Sequence, residues 1–307
     1  MMNSNGADMD GMDKTGIAKS LVKSPTDWVL ASICLIFILI CLLPIVNIAA
    51  RSLSSPLSII NREVIFLPVN LTFQSYLYVF SDSAFSRSML WTALLTVTCT
   101  AVSLAMTVLC AYPLTYDRLK GKKLINSLIL MTMYFNAGTI PNYILMKDLS
   151  LIDNPLALIV PNCLSVFNMI ILRSFFYGIP ESLRESAELD GASPLSILVH
   201  IYLPLSTSAL ATLALFYAVG RWNGFSDALL YMTNPRYAPI QLKLYQIINN
   251  LSSIEISQQE AAASNSASAS EGIKAAAVMF ATLPVLMAYP WLQRYFISGV
   301  TIGAVKG

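Results

Sequence analysis

The sequence predicts an all-α, polytopic membrane protein that crosses the bilayer six times. Three observations carry that prediction. Six predominantly apolar runs recur along the chain, each near the 20 residues that a helix needs to cross about 30 Å of hydrocarbon. Only 12% of the 307 residues are charged and 56% are hydrophobic, with a mean hydropathy of +0.63; soluble domains carry about a quarter charged residues. Finally, one polar passage, residues 178–204, lies between two apolar runs and is punctuated like a pair of short helices.

Residues 1–27 are polar and rich in Met, Asp, Asn and Gly, with Lys14, Lys19 and Lys23 near their end. They read as a disordered tail with a basic patch beside the membrane, followed by a transmembrane domain over residues 28–307. The first apolar run, 28–50, is too long and lies too far in for a signal-peptide core. Pro44 should kink it, which a packed bundle tolerates. Residues 51–88 are mixed, and the spacing of Phe73, Tyr76, Leu77 and Phe80 predicts a short interfacial helix. The second run covers 89–112. A short basic connector with Arg118, Lys120, Lys122 and Lys123 leads to the third, 124–146. A turn over 147–154 precedes the fourth, 155–177. After the polar passage the fifth run covers 204–222 and the sixth 274–296. Between those two, residues 252–271 form a low-complexity Ser/Ala/Gln/Glu stretch, expected to be a flexible outer loop or the approach to the sixth run because it has little apolar surface to bury, although Ala and Glu permit helix.

An even number of crossings puts both ends on one side, and the positive-inside rule selects the cytoplasm. That choice places the basic 118–123 connector inside, where short loops weigh most. It also places residues 178–204 inside. The net charge of +2 gives no argument for nucleic acid. The five cysteines all lie in apolar runs without a CxxC pair, which suits small buried hydrophobes rather than disulfides or metal ligands.

Within 178–204, Pro180 and Glu181 suit a helix start, and Gly191 suits the left-handed residue that closes a helix. Ser193 reads as an N-cap with Pro194 opening a second helix. Leu195, Leu198, Val199 and Tyr202 then fall on one predicted apolar stripe. Pro204 ends that helix or bends the chain. Asp190, Gly191 and Ala192 make the corner.

Glu185, Ala187 and Gly191, followed after nine residues by Ile201, Leu203 and Pro204, resemble the EAA loop of the membrane permeases of ABC importers. Ser186 stands where that family usually has alanine, a small-for-small change. The turn residues Ile140, Pro141, Asn142 and Tyr143, the segment Trp222 to Phe225, and the tail from Ile297 to Gly307 are similar to the carbohydrate-uptake group, its MalG-like and LplC-like members in particular. The resemblance implies the type I importer permease fold with a cytoplasmic coupling loop over 178–204, in a bacterial cytoplasmic membrane. It implies a second homologous permease subunit, two ATP-binding cassette subunits and an external solute-binding protein as partners. ATP and Mg would be bound by the ATPase subunits, with no cofactor in this chain. Members of the group serve oligosaccharides, including acidic ones such as those from alginate. The 252–271 stretch departs from the group's pattern, which puts contact between that loop and a binding protein in question.

The residues give no catalytic reading. Gly121, Lys122 and Lys123 lack the hydroxyl and upstream glycine of a P-loop, and no HExxH or GxSxG occurs. The apolar runs avoid central charges, each of which costs about 2.5–3.5 kcal/mol there, whereas ion-driven carriers usually need them. Energy is therefore expected from a partner ATPase. The acids Glu181, Glu185 and Glu188 share a helix face that would pair with basic groups on that partner; for Glu181 and Glu188 a solvated face is an equal reading. Residues expected to line a substrate path are Tyr134 and Asn136, then Asn162, Ser165 and Asn168, then Arg221, Trp222, Asn223 and Asp227. Amides bond sugar hydroxyls, aromatic rings stack on sugar faces, and Arg221 would suit an acidic sugar. Asparagines also serve as glue between helices, and Trp222 equally suits an interfacial anchor. A self-sufficient carrier or channel, or a membrane-embedded enzyme, remains open on the residues alone.

Overall fold

The computed structural model describes residues 25–259 and 271–288, and every regular element among them is helical. Most of the predicted tail, residues 260–270 of the low-complexity stretch, and the segment after 288 lie outside the described residues.

Helix α1, Pro25–Ser52, opens on a proline with Asp27 in its first turn and carries Pro44 inside it. The most apolar stretch of α1 buries nothing against the rest of the chain, so only lipid or another polypeptide can cover it cheaply. Two short helices follow, α2 over Pro56–Ile60 and α3 over Gln74–Ser81, the latter where an interfacial helix was predicted. Helix α4, Ser83–Ala111, starts earlier than its apolar run because Asp82 caps it, accepting from the Ala84 N–H at 2.9 Å.

Helix α4 is the axis of the bundle and packs along α8, Val166–Tyr177, and α11, Thr207–Trp222. Its buried face runs Phe85, Ser88, Thr92, Leu95, Cys99, Ser103, Thr107 and Ala111, steps of three and four that hold one side of a helix. Small polar side chains along that face let backbones approach closely and bond across helices. Thr92, for example, accepts the Ile240 N–H at 2.7 Å.

The predicted third run is not one helix. It divides into α5, Lys122–Tyr134, and α6, Thr139–Asp148. Proline inside a continuous helix would cost about 3 kcal/mol, whereas Pro141 falls in the first turn of α6, where no bond is lost. Asn136 accepts the Gly138 N–H at 2.9 Å and shapes the break. The predicted fourth run is also broken, into α7, Leu156–Ile159, with a 3₁₀ turn over Val160–Asn162, and α8, at 48°.

Helix α9, Glu181–Leu189, and α10, Pro194–Leu205, form the predicted pair, and α10 turns 84° into α11. The fifth helix thus begins at Thr207, after Pro204. Beyond it lie α12, Ser226–Tyr231, α13, Ile240–Gln259, and α14, Glu271–Ala288. The expected loop over 252–271 is corrected in its first part, since residues 252–259 continue α13; they contain neither Gly nor Pro. Among the described residues, α1, α4 and α14 are each long and apolar enough to cross a membrane. Counting each bent pair as one crossing gives five.

Candidate functional site: a polar cavity and an exposed elbow

Because α7 and α8 are separated by a break, backbone groups near residues 158–165 lose their helical partners. Buried in a membrane, such groups must be met by neighbours, and α4 and α11 meet them. Ser103 donates to the Asn162 carbonyl at 3.2 Å. Tyr217 accepts the Ser165 N–H at 3.1 Å while its hydroxyl shares a 2.7 Å bond with Thr107. Arg221 donates to the Leu158 carbonyl at 3.2 Å. Ser165 caps α8 through the Asn168 N–H.

The broken pair thereby bounds a cavity of about 850 Å³ against α4, α11 and the start of α12. Of the nine residues expected on a substrate path, six line it: Asn162, Ser165, Asn168, Arg221, Asn223 and Asp227. Three do not. Tyr134 ends α5 and is 79% exposed on the outer surface. Asn136 lines a separate small cavity of about 220 Å³, which shares Asp227 with the large one. Trp222 turns away and donates to the Ala281 carbonyl at 3.2 Å, tying α11 to α14.

The expectation that Arg221 would receive an acidic sugar does not fit the geometry. The Arg221 side chain is 5% exposed and forms a two-pronged pair with Asp227, at 2.5 and 3.1 Å. Its Nη2 also donates to the Gly224 carbonyl at 3.3 Å. A Cβ at Gly224 would stand 2.3 Å from that nitrogen, so the close approach requires glycine. Asn162 adds a 3.3 Å bond to Asp227. The cavity therefore presents amides and hydroxyls beside the rings of Phe167, Phe216 and Phe225, with Arg221 and Asp227 paired to each other.

The second candidate region packs on the C-terminal end of α4. Ala187, Ala192, Ile201 and Leu203 are part-buried against a core that includes Ala111, Leu172, Phe176 and Leu213. Gly191 sits at φ +81° in the corner, as the spacing predicts, with the Ala192 N–H bonded to the Ala187 carbonyl at 2.9 Å. Ser193 caps α10 through Ser196 N–H at 3.2 Å. Pro180 precedes α9 instead of opening it.

Two expectations for this elbow need correcting. The buried residues of α10 include Ile197, Leu198 and Tyr202, while Leu195 and Val199 are exposed. A wider turn over Leu198–Tyr202, closed by i→i+5 bonds, breaks the 3.6-residue period on which the predicted stripe relied. The acid face is also largely neutralised within the chain, because Arg184 pairs with Glu181 and with Glu188. Glu185 and Asp190 are exposed and carry no ion pair among the described residues. Beside them Leu189 is 89% exposed and Leu195 63%; Pro204 is exposed as well.

Comparison with known proteins decides the family. The family described as "Binding-protein-dependent transport system inner membrane component" matches residues 103–302. The chain belongs to that family. This inner membrane component is 38% identical over 281 residues to the polygalacturonan/rhamnogalacturonan transport system permease protein YtcP of Bacillus subtilis, covering 92% of this chain and 98% of that one. It is 40% identical to protein LplC of the same organism, over 87% of this chain and 90% of the relative. Among solved structures, a chain from a bacterial ABC transporter involved in the import of the acidic polysaccharide alginate superposes with a TM-score of 0.81. Identity there is 34%, over 90% of this chain and 99% of that one. The inner membrane component is accordingly a multi-pass, non-catalytic subunit of an ABC transport system.

Sequence reasoning missed the residues that hold the cavity open. Ser103 and Tyr217 each satisfy a broken-helix group, and Thr107 holds the Tyr217 hydroxyl in place. For Ser103 and Thr107 the signal was present as small polar residues four apart in the apolar α4; Tyr217 on α11 carried none.

Proposed function

We propose that this chain is the permease subunit of an ATP-driven importer of oligosaccharides, with acidic oligosaccharides such as those from alginate or polygalacturonan as cargo. It works with a homologous permease, two ATP-binding cassette subunits and an external solute-binding protein. In this reading it makes six crossings, α5 and α6 together forming one, and keeps both termini in the cytoplasm. The exposed elbow α9–α10 then lies on the cytoplasmic side and docks on the ATPase.

The observation that carries the reading is the elbow itself, an exposed helix pair seated on the ends of α4, α8 and α11. A partner that closes on ATP would push Glu185, Asp190 and the apolar Leu189 and Leu195. Gly191 permits the left-handed corner and the apolar contacts of Ala187, Ala192, Ile201 and Leu203 seat the elbow on the core, so α8 and α11 tilt and the cavity between them changes its open side. The cavity's Asn162, Ser165, Asn168 and Asn223 bond sugar hydroxyls during passage. With Arg221 matched by Asp227, sugar carboxylates find their cations on the sister permease or the binding protein.

The test is uptake of labelled alginate and polygalacturonate fragments into proteoliposomes that hold the full importer. Uptake should require ATP inside the complex's ATPase compartment and the binding protein outside. Uptake by this chain alone, driven by an ion gradient and indifferent to ATP, would overturn the reading.

A further inference from the structure

Helix α9 has no buried residue, yet the side chain of Arg184 on it is only 14% exposed. An ordinary helix-surface ion pair would leave the arginine in solvent. Instead its guanidinium lies over the ring of Tyr116, 4.8 Å from the centroid. Glu181 and Glu188, one turn to either side on α9, pair with it.

Tyr116 belongs to the connector after α4, and its hydroxyl shares a 2.6 Å bond with that of Tyr112. The Tyr112 ring meets Tyr202 of α10 edge-on at 5.0 Å and Phe176 of α8 at 6.4 Å. A neighbouring link stiffens the same connector: Lys122 pairs with Asp117 at 2.8 Å and stands over the ring of Tyr177. The backbone joins α9 directly to α8 and α10, but it gives α9 no short route to α4. Side chains supply that route: Ala187 in the apolar core and, through Tyr116, Arg184.

We propose that Arg184 is a positioning residue for transport, clamping α4 to the elbow so that both move as one body. The proposal rests on the reading of the elbow as the docking site of the ATPase. It adds a third lever to the two that the chain's linkers provide. Helix α4 lines the cavity through Cys99 and Ser103, so a stroke on α9 reaches that wall directly, through Tyr116 and Tyr112, as well as through α8 and α11. Glu181 and Glu188 pair with the same guanidinium that is drawn to the face of the ring.

The experiment uses the complete importer with spin labels at Lys120→Cys on the connector and Ser186→Cys on α9, both exposed positions. With Arg184 present, the label distance should stay constant between the resting and ATP-bound states. In Arg184→Gln it should broaden and shift on ATP binding, while sugar transported per ATP hydrolysed falls about tenfold. Arg184→Lys, which keeps the cation, should recover part of that ratio. Tyr116→Leu should reproduce the loss, and the double variant should be no worse than either single one; it also serves if Arg184→Gln fails to assemble. A constant label distance with an unchanged transport ratio in Arg184→Gln and Tyr116→Leu would overturn the proposal. Docking is tested apart from the clamp by Leu189→Asp, which should release the ATPase subunits. Undiminished co-purification would sink the docking reading and this proposal with it.

Discussion

Helix α4 meets an arginine at two levels, and the two are used differently. Beside its middle, Arg221 is enclosed and locked to Asp227, and it donates to two backbone carbonyls as well, leaving only its buried Nε without a hydrogen-bond partner. At its C-terminal end, Arg184 lies over an aromatic ring and pairs with two carboxylates, with unpaired acids and exposed leucines close by. The first arrangement holds a broken helix open inside the membrane. The second lies beside exposed apolar and acidic side chains. A charge that is fully matched builds a wall; under the proposed docking, one matched within the elbow transmits force.

The comparison breaks most visibly at the enclosed pair. Arg221→Met leaves the 20%-exposed Asp227 carboxylate without its cation, and losing one partner of a buried pair costs about 3–5 kcal/mol. Folded subunit recovered from the membrane should fall severely. Arg221→Met combined with Asp227→Leu should recover much of it, read by size-exclusion profile and thermal midpoint. Next comes the elbow's corner. A β-branched residue at Gly191 is strained by about 1–2 kcal/mol in the left-handed region, although no atom lies within 4 Å to obstruct a Cβ. Gly191→Val should cut ATP-driven uptake about tenfold with the spans still assembled, and Gly191→Asn should retain most of it.

A smaller effect is expected on the cavity wall. Asn168→Ala removes one hydrogen-bonding amide, worth about 1 kcal/mol, so the KM for uptake should rise about fivefold with ATP hydrolysis unchanged. The smallest belongs to the loop between α6 and α7. Asp153 accepts from the Thr233 hydroxyl and from the N–H groups of Thr233 and Asn234, at 2.6 and 2.8 Å. The Thr233 hydroxyl, ahead of the Asn234 N–H, holds its carboxyl below the usual range. A depressed carboxylate stabilises the fold above its unfolded value near about pH 3.9 and loses that contribution as pH falls through the folded value. Asp153→Asn should therefore lower the thermal midpoint slightly at neutral pH and flatten its decline on the acid side.

The elbow was legible in the sequence because local chemistry dictates it. Gly191, Ser193 and Pro194 each carry a backbone instruction that needs no tertiary context. The cavity was half legible. Polar residues in apolar runs marked Asn162, Ser165 and Asn168, but which way Trp222 turns depends on α14, far along the chain. The broken helices were readable only in part. Pro141 and Pro161 announce breaks, yet an apolar run of the right length argues for one span, and hydropathy averages over a break. Arg184 escaped notice because a lone arginine among acids on an amphipathic helix resembles a solvated face. Its burial comes from Tyr116, more than sixty residues earlier in the chain.

The most direct test concerns which side of the membrane the elbow occupies and what it touches. Glu185→Cys in the assembled importer should be shielded from a membrane-impermeant thiol reagent added outside. It should crosslink to an ATPase subunit, with a yield that changes when ATP is bound. Labelling from the outside, or no crosslink to the ATPase in any nucleotide state, would contradict the account at its base.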